Sequence, residues 1–166
     1  MTTRPATPAD ASEIARIYNQ GIEDRTSTFE TRLRTENDVR SWFDGIHPIV
    51  VAEDVARVVA FASTSTYRPR ECYTGIAEFS VYVDRDARGK GLGRAAMKAL
   101  ISASADAGFW KLVSRVFPEN VQSLRLLQSL GFREVGLYRN HAQLDGQWRD
   151  VVIVELLLPE NLTHQL

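Results

Sequence analysis

Apolar residues Ile14, Ile17 and Tyr18 recur at helical spacing behind Thr7-Pro8-Ala9-Asp10. Thr7 can cap, Pro8 suits the first helical position, and Asp10 sits in the electropositive first turn. A helix is therefore predicted from here, fading near Gly21 to Asp24. Thr35-Glu36-Asn37-Asp38 starts a second, shorter helix carrying Val39, Trp42 and Phe43. The pattern then turns β-branched. Residues 49–53 and 55–67 are expected as strands around a tight turn, and 76–83 as another strand. After a charged, Gly-rich stretch, Leu92, Ala96, Ala99, Leu100, Ala103 and Ala107 predict a long Ala-rich amphipathic helix ending at Gly108. Residues 112–116 predict a strand, and 120–130 a helix with Leu124, Leu127 and Leu130 on one face, stopped by Gly131. Strands at 132–138 and 151–158 flank a turn at Leu144-Asp145-Gly146-Gln147. The order is roughly β α α β β β α β α β β, with no residues assigned to the opening strand. It suggests an α/β (α+β) fold, a mixed sheet with helices on both faces.

Composition narrows the possible classes. The 166 residues fit one domain, 1–166, with no repeat or linker. Twenty Lys and Arg against 21 Asp and Glu argue against a nucleic-acid or membrane-surface binder. No apolar run is long enough to span a membrane, and the N-terminus has no signal-like apolar region. The single Cys72 excludes an intramolecular disulfide framework, and His47, His141 and His164 have no metal-ligand spacing. The expectation is a soluble cytoplasmic protein with no metal.

The most informative segment joins the strand at 76–83 to the Ala-rich helix. Glycines at 89, 91 and 93 allow a tight turn and close approach of a ligand. The helix start that follows offers unpaired N–H groups at its positive end, a natural phosphate site. Arg85, Arg88, Lys90 and Arg94 add cations against Asp86. The segment lacks the G-x-x-x-x-G-K-[ST] phosphate loop, and Gly89 and Gly91 are followed by Arg94 where a dinucleotide fingerprint needs Gly. The bland alternative is a solvated charged turn.

Arg88, Gly91 and Gly93 form an R-x-x-G-x-G pattern that resembles the pyrophosphate loop of the GNAT superfamily of N-acetyltransferases. Asn120, Ser123 and Gly131-Phe132 resemble its second motif. More narrowly, the chain is similar to phosphinothricin and methionine sulfoximine acetyltransferases. The matching pieces are Ile17-Tyr18-Asn19, Thr28-Phe29-Glu30-Thr31, Arg68-Pro69-Arg70, Glu78 to Val83, and Gly146 to Val151.

The resemblance implies a central mixed, mostly antiparallel sheet and acetyl-CoA as co-substrate. It implies cofactor contacts at Val81, Tyr82, Val83, Arg88, Gly89, Lys90, Gly91, Leu92, Gly93, Arg94 and Asn120. Glu78 is expected to be the general base that deprotonates an amine substrate; the alternative is an edge carboxylate paired with a nearby Arg. Strand N–H groups at 81–83 are expected to stabilise charge on the acetyl oxygen, while core packing would equally explain Val81 and Val83 as side chains. Asn120 is either a helix N-cap or a pantetheine contact, or both. Many superfamily members have a Tyr general acid where this chain has Leu127. Phe29, Glu30, Arg68, Arg70 and Tyr73 are expected to line the acceptor pocket with Glu78, the two guanidinium groups suiting an oxyanion. Arg68 and Arg70 could instead be surface charges.

The acceptor is expected to be a compact amino acid or toxic analogue such as phosphinothricin, methionine sulfoximine or arsinothricin, acetylated directly on its α-amine as detoxification or resistance. The alternatives are acetylation of protein N-termini or other amines, and a non-catalytic acyl-CoA-binding module. A homodimer through the aromatic C-terminal strands is also expected. His141 is expected to be structural, Trp148 a packing or dimer contact, and Cys72 inert. Trp42, Phe43, Phe109 and Trp110 are expected as core or interface aromatics.

Overall fold

The computed structural model describes residues 1–162. The expectation concerning His164 lies outside them. In order, the elements are β1 (Thr2–Pro5), α1 (Ala11–Asp24), α2 (Glu36–Arg40), β2 (Ile49–Asp54), β3 (Arg57–Thr66), β4 (Ile76–Val83), α3 (Leu92–Asp106), β5 (Lys111–Val116), α4 (Val121–Ser129), β6 (Arg133–Leu144) and β7 (Gln147–Leu157). A short 3-10 turn, Pro8–Asp10, precedes α1, and the Thr7 N–H donates to the Asp10 carboxylate at 2.8 Å. The element order is the expected one, with the opening strand at Thr2–Pro5. Trp42 and Phe43 fall just beyond α2, because the helix stops at Arg40.

The strands form one seven-stranded sheet, β1-β2-β3-β4-β5-β7-β6. Only β4 and β5 run parallel; the other pairs are antiparallel. Side chains alternate between faces. On one face Val50, Ala60, Ala62, Ala77 and Phe79 pack with Ala96, Met97 and Leu100 of α3. On the other, Val51 and Phe61 pack with Ile14 and Ile17 of α1 and Val39 of α2. Ala96 is fully buried, so its small side chain lets α3 lie close to the sheet. The β2–β3 turn places Val55 and Ala56 at φ 49° and 60°, the left-handed geometry of a two-residue hairpin.

The C-terminal hairpin extends further than the apolar pattern predicts. β6 continues past Tyr138 to Leu144, with register irregularities between Glu134 and Gly136 and between Tyr138 and Ala142. It is a sheet edge, and most of it is exposed.

Candidate active site

β4 and β5 pair only over Ile76↔Lys111, Ala77↔Leu112 and Glu78↔Val113, then diverge. β4 continues to Val83 on β3, while β5 continues to Val116 on β7. Backbone groups alternate in direction along a strand. The Asp84 N–H goes to Val59 O of β3 at 2.7 Å, whereas Phe79 O accepts from Ser114 Oγ of β5 at 2.8 Å. The N–H groups of Val81 and Val83 therefore face the gap, and that of Tyr82 faces β3.

The Gly-rich junction lies at the mouth of this gap. Asp84 caps the turn Arg85–Ala87 by accepting from the Asp86 N–H at 3.0 Å. Gly89 and Gly91 have φ of 80° and 78°, and a Cβ on either would meet nothing within 4 Å. The strain there would be conformational, not steric. The Ala95 N–H is bonded to Gly91 O at 3.1 Å, leaving Leu92, Gly93 and Arg94 to present the unpaired first-turn N–H groups.

A cavity of about 390 Å³ runs from here into the gap. Val81, Tyr82, Val83, Arg88, Gly89, Gly91, Leu92, Gly93, Arg94 and Asn120 all line it. Of the residues expected at the cofactor, Lys90 alone is not on this wall. Ser123 of the expected second motif is on the wall as well. Gly21, Thr26 and Ser27 beside the end of α1, with Gln122 and Leu126 of α4, complete the lining. No spacing in the sequence marks them. Ser27 only adjoins the Thr28-Phe29-Glu30-Thr31 stretch. Two of the junction's cations are already partnered: Arg85 and Arg88 donate to the Asp24 carboxylate at 2.7 and 3.1 Å. These contacts lower the Asp24 pKa against the opposing effect of burial.

A smaller cavity of about 60 Å³ continues inward, sharing Ser27, Val81, Tyr82, Asn120 and Ser123 and adding Ser114, Arg115 and Leu127. Asn120 caps α4, its side-chain oxygen accepting from the Ser123 N–H at 3.3 Å. Among the described residues its amide N–H₂ donates to no protein group. Leu127 is buried on the wall and carries no proton. Burial, aided by neighbouring Tyr18, pushes the Tyr82 phenol well up, so it stays protonated at neutral pH.

Glu78 shares its sheet face with Ser80 and Tyr82 and with Ser65 and Ser63 of β3. Arg115 donates Nε and Nη2 to one oxygen, Glu78 Oε1, at 3.0 and 2.7 Å. On the same face Tyr18, Trp42, Ser63, Ser65 and Ser80 help to line a hydroxyl-rich recess of about 440 Å³.

The model of the acetyltransferase (GNAT) family matches residues 14–132. The chain belongs to the GNAT family of acetyltransferases. It is 36% identical over 161 residues to L-methionine sulfoximine/L-methionine sulfone acetyltransferase of Pseudomonas aeruginosa, covering 93% of this chain and 93% of that protein. The structure is similar to a phosphinothricin acetyltransferase from Sinorhizobium meliloti in complex with acetyl-CoA. The TM-score is 0.90 at 29% identity, over 99% of this chain and 91% of the other. It is also similar to ribosomal-protein-alanine N-acetyltransferase from Brucella melitensis, with TM-score 0.90 and 30% identity over 95% and 100% of the two chains.

This GNAT protein is an N-acetyltransferase with acetyl-CoA as its co-substrate. The cavity suits that molecule: an open glycine cradle and unpaired helix N–H groups for phosphates, then a gap with unpaired strand N–H groups for an extended arm. Among the described residues no cluster of three or more His, Cys, Asp and Glu could hold a metal ion. No helix there is long and apolar enough to cross a membrane.

The residues expected at the acceptor are dispersed. Phe29 packs edge-on against Phe117 at 4.9 Å, beside Leu144 and Val151. Glu30 pairs with Arg34 at 2.6 Å. Arg68 and Arg70 lie exposed on the β3–β4 connection, Arg68 over the Tyr67 ring, with Tyr73 edge-on to Tyr67. Cys72 is exposed, His141 stacks on Tyr138, and Trp148 is exposed. Phe109 is buried, and the Trp110 ring covers Gly75.

Proposed function

We propose that this GNAT enzyme acetylates the α-amine of a small amino acid or toxic analogue of the phosphinothricin, methionine sulfoximine or arsinothricin kind, by direct transfer, in the cytoplasm, as a resistance or detoxification activity. The observation that carries the reading is Glu78, on β4 at the point where β4 and β5 part, with one carboxylate oxygen free of donors among the described residues. Acetyl-CoA supplies an acetyl group activated as a thioester. Glu78 accepts the proton of the substrate ammonium through Oε2, directly or through one water. The N–H groups of Val81 and Val83 stabilise negative charge developing on the acetyl oxygen. Leu127 cannot protonate the departing thiolate. That thiol is acidic enough to leave unassisted, or water serves.

Phe29, Glu30, Arg68, Arg70 and Tyr73 are proposed to close over the acceptor side of this site, Arg68 and Arg70 taking its side-chain oxyanion. The name of the Pseudomonas aeruginosa relative favours an amino-acid acceptor. The name of the Brucella melitensis structure favours a second reading, a protein N-terminus. The test is CoA release with phosphinothricin, methionine sulfoximine, arsinothricin, ordinary amino acids and peptides beginning with alanine. Release with the amino acids supports the proposal. Release with the peptides alone overturns it in favour of the second reading, and no release with any amine leaves an acyl-CoA-binding module. Glu78→Gln should lower kcat by about 100-fold or more, within the usual range for a lost general base, with little change in KM for acetyl-CoA. Wild-type turnover in that variant removes Glu78 from the chemistry.

A further inference from the structure

We propose that Arg115 reads the α-carboxylate of the acceptor, so that Glu78 and Arg115 form one charge pair complementary to a zwitterionic amino acid. This rests on Glu78 being the base of the proposed reaction. Val113 is the register partner of Glu78, and Arg115 is two residues further along β5, on the same face and past the end of the pairing. Its side chain therefore stands beside Glu78, at the inner end of the cofactor gap.

The bonding within the pair is one-sided. Nε and Nη2 of Arg115 both donate to Glu78 Oε1. Among the described residues, Glu78 Oε2 and Arg115 Nη1 have no hydrogen-bond partner. A pair built only for cohesion would use both oxygens, in the two-pronged geometry that arginine and carboxylate favour. Here one acceptor atom and one donor atom are left over, on adjacent side chains.

Other carboxylates on β7 and before α4 have their own cations. Glu155 pairs with Lys111 and Arg133, and Glu119 with Arg149. Side-chain exposures of 49% for Arg115 and 26% for Glu78 leave both open to a small solute. A surface pair this exposed adds little to stability, so cohesion alone is a weak reason for it.

An α-amino acid carries its ammonium and carboxylate on one carbon. With the ammonium at Glu78 Oε2, the carboxylate falls toward Arg115 Nη1. The acceptor's two charges then meet opposite charges across the same short span. An amine lacking the carboxylate would leave the guanidinium without its second partner. Arg115 would thus select α-amino acids, leaving Arg68 and Arg70 for the group at the far end of the acceptor's side chain.

The test compares L-methionine sulfone with its α-carboxamide, in wild type, Arg115→Met and Arg115→Lys. Calorimetric binding to the CoA-loaded protein is measured beside acetyl-CoA turnover. Wild type should bind the acid more tightly than the amide. Arg115→Met should weaken the acid by about 10- to 100-fold, as expected for one lost charge-assisted contact, and leave the amide nearly unchanged. Arg115→Lys should restore part of the preference. In turnover the loss should fall on KM for the acid, with KM for acetyl-CoA unmoved. An acid preference that survives in Arg115→Met overturns the inference. So does an equal fall in kcat for both probes with binding intact, which would make Arg115 only a positioning residue for Glu78. Failure of the acetyltransfer proposal is separate. It would be seen as absent turnover in wild type, while the acid-to-amide binding contrast still decides the role of Arg115.

Discussion

Asp84 anchors the turn that leads into the Gly-rich junction through a side chain that is only 1% exposed. Its carboxylate accepts from the Asp86 N–H at 3.0 Å, from Arg16 Nη1 at 2.7 Å and from Arg57 Nη2 at 3.4 Å. Burial works to raise its pKa, but the Asp86 amide and the Arg16 guanidinium outweigh it and hold the pKa below the usual carboxylate value. The folded pKa is therefore below the unfolded one, which is about 3.9. The stability it contributes is full above that unfolded value and is lost as pH falls through the folded one. Asp84→Asn keeps an oxygen for the cap and removes the charge. At pH 7 it should destabilise the fold by about 1.5–3 kcal/mol, the range for a hydrogen bond to a charged group. The deficit should shrink in acid. Urea unfolding at pH 7 and near pH 3 measures both; an equal deficit at the two values would refute the electrostatic account.

At the scale of elements, α1 and β4 meet at Gly21. An alanine Cβ there would lie 2.5 Å from Cε1 and 2.7 Å from Cδ1 of Tyr82. Gly→Ala within a helix ordinarily stabilises by about 1 kcal/mol. Here the added methyl must displace a ring held edge-on by Tyr18 and stacked by Phe61. Gly21→Ala should therefore destabilise by about 1–3 kcal/mol, as overpacking does, and raise KM for acetyl-CoA because Tyr82 and Gly21 both line the cavity. A more stable variant would show that the ring moves freely. This junction was not legible in the sequence, where Gly21 looks like a fading helix end. Elements with strong apolar content were legible: β3 and β4 are rich in β-branched and apolar residues because helices cover the sheet on both faces, and α3 repeats its apolar residues at helical spacing. β1 was not placed, because Thr2-Thr3-Arg4-Pro5 has no apolar alternation. Arg4 ties it down by ion pairs to Asp10 and Glu53. The outer half of β6 was missed for the same reason, being a polar edge strand that takes its register from β7. In the candidate site, glycine spacing marked the junction before α3 because the backbone itself must turn there. Arg115 has no such local signature. Only the parallel register of β4 and β5 brings it to Glu78.

Over the whole molecule, the free edge of the sheet raises the question of assembly. β6 is 12 residues long and, among the described residues, pairs on one side only, with β7. Its Val135, Leu137 and Tyr138 are 45%, 47% and 52% exposed, and Trp148 on the paired strand is 59% exposed. A long edge carrying apolar side chains is an aggregation hazard unless charges, bulges or a partner cover it. The irregularities at Glu134/Gly136 and Tyr138/Ala142 blunt it in part. A second copy of the chain would remove the remaining exposure, and we propose a homodimer through this hairpin. Light scattering at micromolar concentration should then give about twice the 18.7 kDa chain mass. Leu137→Asp should yield a folded monomer, since a charge there opposes burial at an interface but costs little on an exposed strand face. A wild-type monomer would overturn the dimer. So would a Leu137→Asp dimer, by moving the contact off β6. Activity of the Leu137→Asp monomer separates assembly from chemistry. Glu78, Arg115 and the Gly-rich junction all belong to one chain, so CoA release per chain should persist if the hairpin only joins the copies.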